Sequence, residues 1–300
     1  MTEERKQEIL EIIRNTNRRP AQTGKPLYPE EIMAYPNLCE EIESISRTVD
    51  GFSYRMDILR AKNRGENCPL FINIHGGGFI GPHRENDTYF SAYMADQIHG
   101  ITVDLDYTLS DAAPYPVALH QCMDALDYVA EHANTWGASA KDISVGGYSA
   151  GGALTAAMGI CCAERGGFVP KLQILCYPPL EYRIPDQYKI DAYDRQIGME
   201  RCKAFADLYF DDKKENFEDI HNSPLYAPRE ILAKQPKTLI LSAGLCNFRY
   251  EDEDYAIYLA DAGAEVILKR FPEASHGFIP HFMDGWKEAA DLMVREILEK

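Results

Sequence analysis

Three hundred residues, 45% hydrophobic and 26% charged, have the composition of a folded soluble chain, with length for one large domain or two smaller ones. Forty-seven acidic side chains against 31 basic ones give a formal charge of −16. That balance argues against a nucleic-acid partner, since no basic excess exists to neutralise phosphates, and it disfavours an anionic membrane surface.

The first element lies in the charged stretch "MTEERKQEILEIIRNTNRR", where Ile9, Leu10, Ile12 and Ile13 form the apolar stripe of an amphipathic helix. This stretch has no uninterrupted apolar core like that of a signal peptide, and nothing later approaches the ~18 apolar residues of a membrane span. A cytoplasmic chain is expected. In a reducing compartment its eight cysteines, diluted and without CxxC spacing, read as buried thiols. Phe52, Tyr54, Met56 and Ile58 alternate with polar residues as in a half-exposed strand. Short apolar runs then mark buried parallel strands at 70–74, 101–105, 143–145, 172–176, 239–241 and 266–268. Helical spacing joins Val117, Leu119, Cys122, Ala125, Leu126 and Val129, and again Ala256, Ile257, Leu259 and Ala260. A last helix carries Met283, Trp286, Ala290, Met293, Val294 and Ile297. Strands alternating with helices in this way imply an α/β fold whose mostly parallel central sheet is covered on both faces.

One segment breaks the rhythm. From Glu181 to about His221 the chain is polar and aromatic, with Tyr182, Tyr188, Tyr193, Phe205, Tyr209, Phe210 and Phe217. It is too long for an ordinary crossover loop and reads as an insertion over one end of the sheet, a cap on a single domain spanning 1–300.

Two glycine motifs carry chemistry. "GGYSAGG" contains Gly147-Tyr148-Ser149-Ala150-Gly151, a G-x-S-x-G directly after a strand and before a small-residue helix. A nucleophile on so sharp a turn needs glycines two positions away on either side, where a Cβ would clash. The following helix aims its N-terminal N–H groups at developing negative charge. "IHGGGF", Ile74 to Phe79, ends an earlier strand, and its three glycines let bare N–H donors approach a reacting group, as an oxyanion hole requires.

With these motifs the chain resembles the hormone-sensitive-lipase-like branch of the α/β-hydrolase esterases. His75–Phe79 match its HGGGF and Gly147–Gly152 its GxSAGG; "SPLYA" (Ser223–Ala227) and "SHGF" (Ser275–Phe278) also fit. "DYTLSDAAPYP" (Asp106–Pro116) is similar to the family's D-Y-R-L-A-P-E-x-x-x-P, with Thr108 in place of Arg and Asp111-Ala112 where Pro-Glu is usual. The likeness runs from about residue 70 to the C-terminus. It implies an α/β-hydrolase fold with a helical cap from about 1–45 and 181–221. It further implies Ser149 as nucleophile, His276 as general base, and oxyanion donors from the backbone of Gly77, Gly78 and Ala150. No metal or organic cofactor is implied; His281, five residues past His276, finds no third ligand at metal-like spacing. His75 reads as an anchor of its own loop.

The third triad position departs from the family. Aligning "LSAGLCNFRYEDEDYA" with the family's A-x-x-D-P-L-R-D-E puts Cys246 on the acid and Asn247 on the Pro, while Arg249 and Glu251 keep their places. The acid should accept from His Nδ1–H and stabilise the imidazolium, and a neutral thiol does neither well. Asn247, Glu251, Asp252 or Glu181 could orient the ring instead, and the expectation is a group other than Cys246. The resulting reading is a serine carboxylesterase for short acyl esters, acting on small molecules and compatible with a homodimer. The Tyr-rich insertion suggests hydroxyl-bearing or aromatic alcohol moieties unless its rings pack on each other. An amidase or peptidase on the same scaffold, or a weakly active or non-catalytic ligand-binding relative, are the alternatives.

Overall fold

The computed structural model describes residues 1–16, 28–184 and 197–299. Eight strands form one sheet: β1 (Glu43–Val49), β2 (Phe52–Arg60), β3 (Cys68–Ile74), β4 (Ile101–Asp106), β5 (Ala138–Tyr148), β6 (Leu172–Cys176), β7 (Lys237–Ala243) and β8 (Val266–Phe271). Their order is β1-β2-β4-β3-β5-β6-β7-β8. The β1–β2 and β2–β4 pairs are antiparallel and all the others parallel.

Before the sheet come α1 (Glu3–Asn15) and the single turn α2 (Glu30–Met33); α3 (Glu85–Gln97), α4 (Val117–His132) and α5 (Ala150–Arg165) are the first three crossovers. α6 (Met199–Tyr209), α7 (Lys214–Glu218) and α8 (Arg229–Leu232) fall between β6 and β7, α9 (Arg249–Ala262) joins β7 to β8, and α10 (Trp286–Leu298) follows β8. The inner strands are apolar throughout because helices cover both faces. Ile72 and Ile74 of β3 join the core with Leu126 of α4 and Leu154 of α5, while Phe71 joins Phe90 of α3 and Met293 of α10. The eight cysteines are free thiols, six of them buried.

Several elements differ from the sequence expectation. β1 is an edge strand whose Ile45 and Val49 are only half-buried, so it shows no strong apolar alternation. α3 buries Asn86, Asp87 and Ser91 alongside Phe90 and Met94, and polar side chains in the core hide its helical period. Met283 belongs to the turn before α10, and residues 43–45 belong to the sheet rather than to a cap.

The insertion contributes α6 and α7, and α1 lies on α6 through Ile9 and Ile13 against Ala204 and Leu208. Its aromatic residues mostly pack on one another. Phe210 meets Tyr182 at 4.8 Å and Phe217 at 4.7 Å, while Tyr209 stacks on Phe79 at 3.7 Å. Tyr209 and Phe210 are buried, which explains these rings by packing rather than by a hydroxyl-bearing ligand. Tyr188 and Tyr193 lie outside the described residues.

α1 is held by this small apolar contact and by ion pairs from Arg5 to Asp207 and Asp212, and Ile9→Ala, which removes part of the apolar contact, should loosen α1 locally. Hydrogen exchange is expected to speed up across residues 3–15 while the amides of β3 and β5 keep their protection. A uniform loss of protection would show that α1 belongs to the global core.

Candidate active site

The site assembles where the strand order reverses, past the C-terminal ends of β3, β5, β7 and β8. Ser149 sits between β5 and α5 with φ 54° and ψ −119°, a conformation that costs a residue with a side chain strain energy. Its N–H donates to the Cys176 carbonyl at 2.9 Å, and its own carbonyl accepts from Ala153 N–H at 2.9 Å. The glycines on either side are sterically required. A Cβ on Gly147 would lie 2.4 Å from the Gly151 carbonyl, and one on Gly151 would lie 2.1 Å from the Ile74 oxygen. Ser149 is therefore held at the tip of the turn, at the N-terminus of α5.

The glycine loop follows β3. His75 is buried, with Nδ1 2.7 Å from the Gly76 carbonyl and its ring stacked 4.3 Å from Tyr107. Burial pushes its pKa down to about 4, so the ring is neutral and Nδ1–H donates to that carbonyl. Gly77 and Gly78 take φ 126° and 64°, and Gly81 N–H closes the turn onto the Gly77 carbonyl at 2.8 Å. Phe205 of α6 packs on Gly78 so closely that a Cβ there would lie 2.5 Å from the ring.

The last two loops are zipped together by backbone hydrogen bonds that continue the β7–β8 pairing. Gly244 N–H donates to the Phe271 carbonyl at 2.8 Å and Leu245 N–H to the Ala274 carbonyl at 3.1 Å. Residue 246 thereby faces residue 276. Cys246 Sγ lies 3.1 Å from His276 Nδ1, and Phe248 N–H donates to the same sulfur at 3.4 Å. The ring sits edge-on to Tyr177 at 5.0 Å and to Phe248 at 5.6 Å. Burial pushes the Cys246 thiol well above its ordinary range, and the neighbouring Asp252 adds to this, so the sulfur carries its proton. Desolvation, with His281 nearby, pushes the His276 imidazolium down to about 3.

The expectation that another group would hold the ring is corrected here. Asn247 Nδ2 donates to the Ile197 carbonyl at 3.2 Å, facing the cap segment. Glu251 accepts from Leu180 N–H at 2.7 Å and Glu181 N–H at 3.0 Å. Glu181 accepts from Ile184 N–H at 2.9 Å and also from Arg183 N–H. These two carboxylates tie down the turn after β6. Asp252 is fully buried, and burial together with Glu251 pushes its carboxyl well above the usual range.

Ser149, His276, Gly77, Gly78 and Ala150 line one cleft of about 1480 Å³, together with Phe205, Tyr177 and Phe248. The arrangement offers a strained hydroxyl, a neutral imidazole and backbone N–H donors around one space, the equipment of acyl transfer. Tyr177 and Phe205 join the site without any sequence motif of their own. Tyr177 directly follows the apolar run of β6, at the strand end where such sites form, and that position is the signal. Among the described residues no group of three His, Cys, Asp or Glu side chains is placed to hold a metal ion.

A family model described as the alpha/beta hydrolase fold matches residues 71–280, and the chain belongs to that family. Its relatives include esterases of the hormone-sensitive-lipase type. Esterase LipI of Mycobacterium tuberculosis is 30% identical over 217 residues, 71% of this chain and 66% of its own length. Hormone-sensitive lipase of Bos taurus is 29% identical over 120 residues, 40% of this chain and 16% of its own. Among solved structures, the esterase of Pyrobaculum calidifontis is 25% identical with a TM-score of 0.78, covering 98% of this chain and 92% of that one. The chain thus spans just under two-thirds of the length of LipI.

The Cys246 contact generates a direct titration prediction. A half-buried imidazole facing a neutral thiol should titrate well below the ~6.5 of free histidine. The ring carbon and nitrogen shifts of His276 followed by NMR check this. A midpoint above about 6 would place an anionic partner on the ring.

Proposed function

We propose that the protein is a serine carboxylesterase that hydrolyses short-chain acyl esters through an acyl-enzyme. Ser149 Oγ attacks the ester carbonyl and gives its proton to His276 Nε2, while the N–H groups of Gly77, Gly78 and Ala150 receive the oxyanion. Collapse of the tetrahedral intermediate expels the alcohol, which takes the proton from His276. Water, deprotonated by the same ring, then releases the acid. The observation that carries this reading is the strained Ser149 turn packed against the glycine loop, with His276 on the same cleft. The esterase names of LipI and of the Pyrobaculum structure support the reaction class.

The thiol sets the expected level of activity. The step needs Nδ1–H to point at Cys246 Sγ, so that Nε2 is left as the base. The opposite arrangement, S–H donating to Nδ1, puts the ring proton on Nε2 and disables it. Phe248 N–H already donates to the sulfur, which leaves a second, weak lone pair for Nδ1–H. No charge meets the developing imidazolium from this side, so turnover should be slower than with a carboxylate.

Ser149→Ala should reduce kcat on a short acyl ester by at least about a thousandfold while leaving the circular dichroism spectrum unchanged. A serine-directed phosphonate should label the unsubstituted protein stoichiometrically at Ser149. Undiminished turnover in the variant would overturn the assignment. Faster cleavage of an amide than of the ester with the same acyl group would favour an amidase.

A further inference from the structure

The glycine loop that would hold the oxyanion is clamped along its length by groups at and beyond the end of β4. At its start the Tyr107 hydroxyl donates to the His75 carbonyl at 3.2 Å. In the middle the Phe79 carbonyl accepts from Ser110 N–H at 2.8 Å and from Ser110 Oγ at 3.0 Å. At its end His83 Nε2 lies 2.7 Å from the carboxylate of Asp104. Asp104 is wholly buried, and its other oxygen accepts from Asn73 Nδ2 at 2.9 Å, a group that also reaches Ser91 Oγ at 3.0 Å.

The first two clamps are hydrogen bonds to backbone. The third is an ion pair between the loop end and a carboxylate inside the sheet. A buried carboxylate is tolerable only when a cation and hydrogen bonds compensate it. The groups facing His83 are mostly acidic: Asp104 and Asp106 from β4 and Asp87 from α3. Arg84 is its chain neighbour, and His75 lies edge-on with ring centroids 5.7 Å apart. Arg55 from β2 is 3.2 Å from Asp106 and 3.3 Å from Asp57. Burial opposes charge on His83, but Asp104 and its acidic neighbours outweigh burial and raise its pKa to about 9. Asp87 is pushed up to about 7 by burial and by Asp104, so it ionises before His83 loses its proton. Above that second step Asp104 and Asp87 would be left as like charges beneath the loop without their cation.

We propose that His83 is a positioning residue: paired with Asp104, its protonated ring holds the glycine loop so that Gly77 and Gly78 meet the oxyanion, and kcat falls when that proton leaves. The proposal rests on the esterase reading for its kinetic readout. His83 and His276 therefore act at opposite ends of the pH range. His276 must be neutral, which its depressed pKa secures in acid, and His83 must be charged, which its raised pKa secures up to mildly alkaline conditions. The sign follows from linkage. With its folded pKa above the unfolded value of ~6.5, the stabilisation from His83 is complete below that value and is lost as pH rises through about 9.

The test compares the unsubstituted protein with His83→Gln, whose amide can keep a neutral hydrogen bond to Asp104. Measured on a short acyl ester from about pH 6 to pH 10, kcat of the unsubstituted protein should fall at least about fivefold through a midpoint near 9, with KM and circular dichroism steady. His83→Gln should show a lower kcat at neutral pH and no alkaline limb. An alkaline limb that persists in His83→Gln, or a neutral-pH kcat equal to that of the unsubstituted protein, would overturn the proposal. Hydrogen exchange provides a readout that needs no turnover. The amides of residues 76–81 should exchange faster in His83→Gln at pH 7 while those of β3 and β4 do not. Unchanged exchange in the loop would overturn the proposal even if no ester were cleaved, whereas failure of the unsubstituted protein to cleave any short acyl ester, with the loop exchange changed as expected, would overturn only the esterase reading.

Discussion

Gly151 approaches the Ile74 carbonyl so closely that a methyl group would lie 2.1 Å from the oxygen. Through this contact the first turn of α5 rests on the end of β3, and a Cβ on Gly76 would likewise lie 2.7 Å from the Tyr148 carbonyl. The serine turn and the glycine loop are therefore one packed unit rather than two loops that happen to be near. Parallel pairing of β3 with β5, Ile74 opposite Gly147, brings the two strand ends level. That backbone contact fixes where the serine turn and the glycine loop sit relative to each other, while each keeps further supports of its own: Ser149 N–H on the Cys176 carbonyl, and Tyr107, Ser110 and the His83–Asp104 pair along the loop.

The other half of the site is held differently. β7 and β8 carry their pairing past Ala243 and Phe271 into two loops, and the sulfur of Cys246 meets His276 as a result. Position is retained while charge is lost. A thiol pushed above its ordinary range and an imidazolium pushed down to about 3 describe a neutral pair. Such a pair can orient the ring but brings no charge to a protonated imidazole. The carboxyl groups nearby do other work: Glu251 and Glu181 satisfy backbone N–H groups after β6, and Asp252 is wholly buried with its carboxyl pushed well above the usual range.

How much of this was legible in the sequence varied with the physics behind each residue. Ser149, Gly77 and Gly78 could be read because steric demands at tight turns leave glycine little competition, and these demands appear as fixed local spacing. Cys246 could be placed opposite the histidine because Arg249 and Glu251 kept the alignment in register. Which group touches His276 could not be read, since that depends on Gly244 and Leu245 N–H groups zipping two loops about thirty residues apart. The destination of Glu251, the amides of Leu180 and Glu181, is equally non-local. β1 and α3 went unread for opposite reasons, one too exposed to show a pattern and the other carrying Asn86, Asp87 and Ser91 into the core. The Tyr-rich insertion showed its composition but not its purpose, and Tyr209 and Phe210 turned out to be internal packing.

The central claim is that a neutral thiol stands where the catalytic step calls for a carboxylate. Measuring kcat for Cys246→Asp, with the His276 titration followed in the same variant, tests it most directly. A carboxylate at that position would accept from Nδ1–H, receive the Phe248 N–H and stabilise the imidazolium. Losing such a charge costs about 10⁴ in kcat in a complete triad. The account predicts a rise in kcat of tenfold or more, about 1.4 kcal/mol of barrier, with a raised His276 pKa. A flat or lower kcat with the His276 titration unchanged would contradict it, because another group would then already be holding the ring.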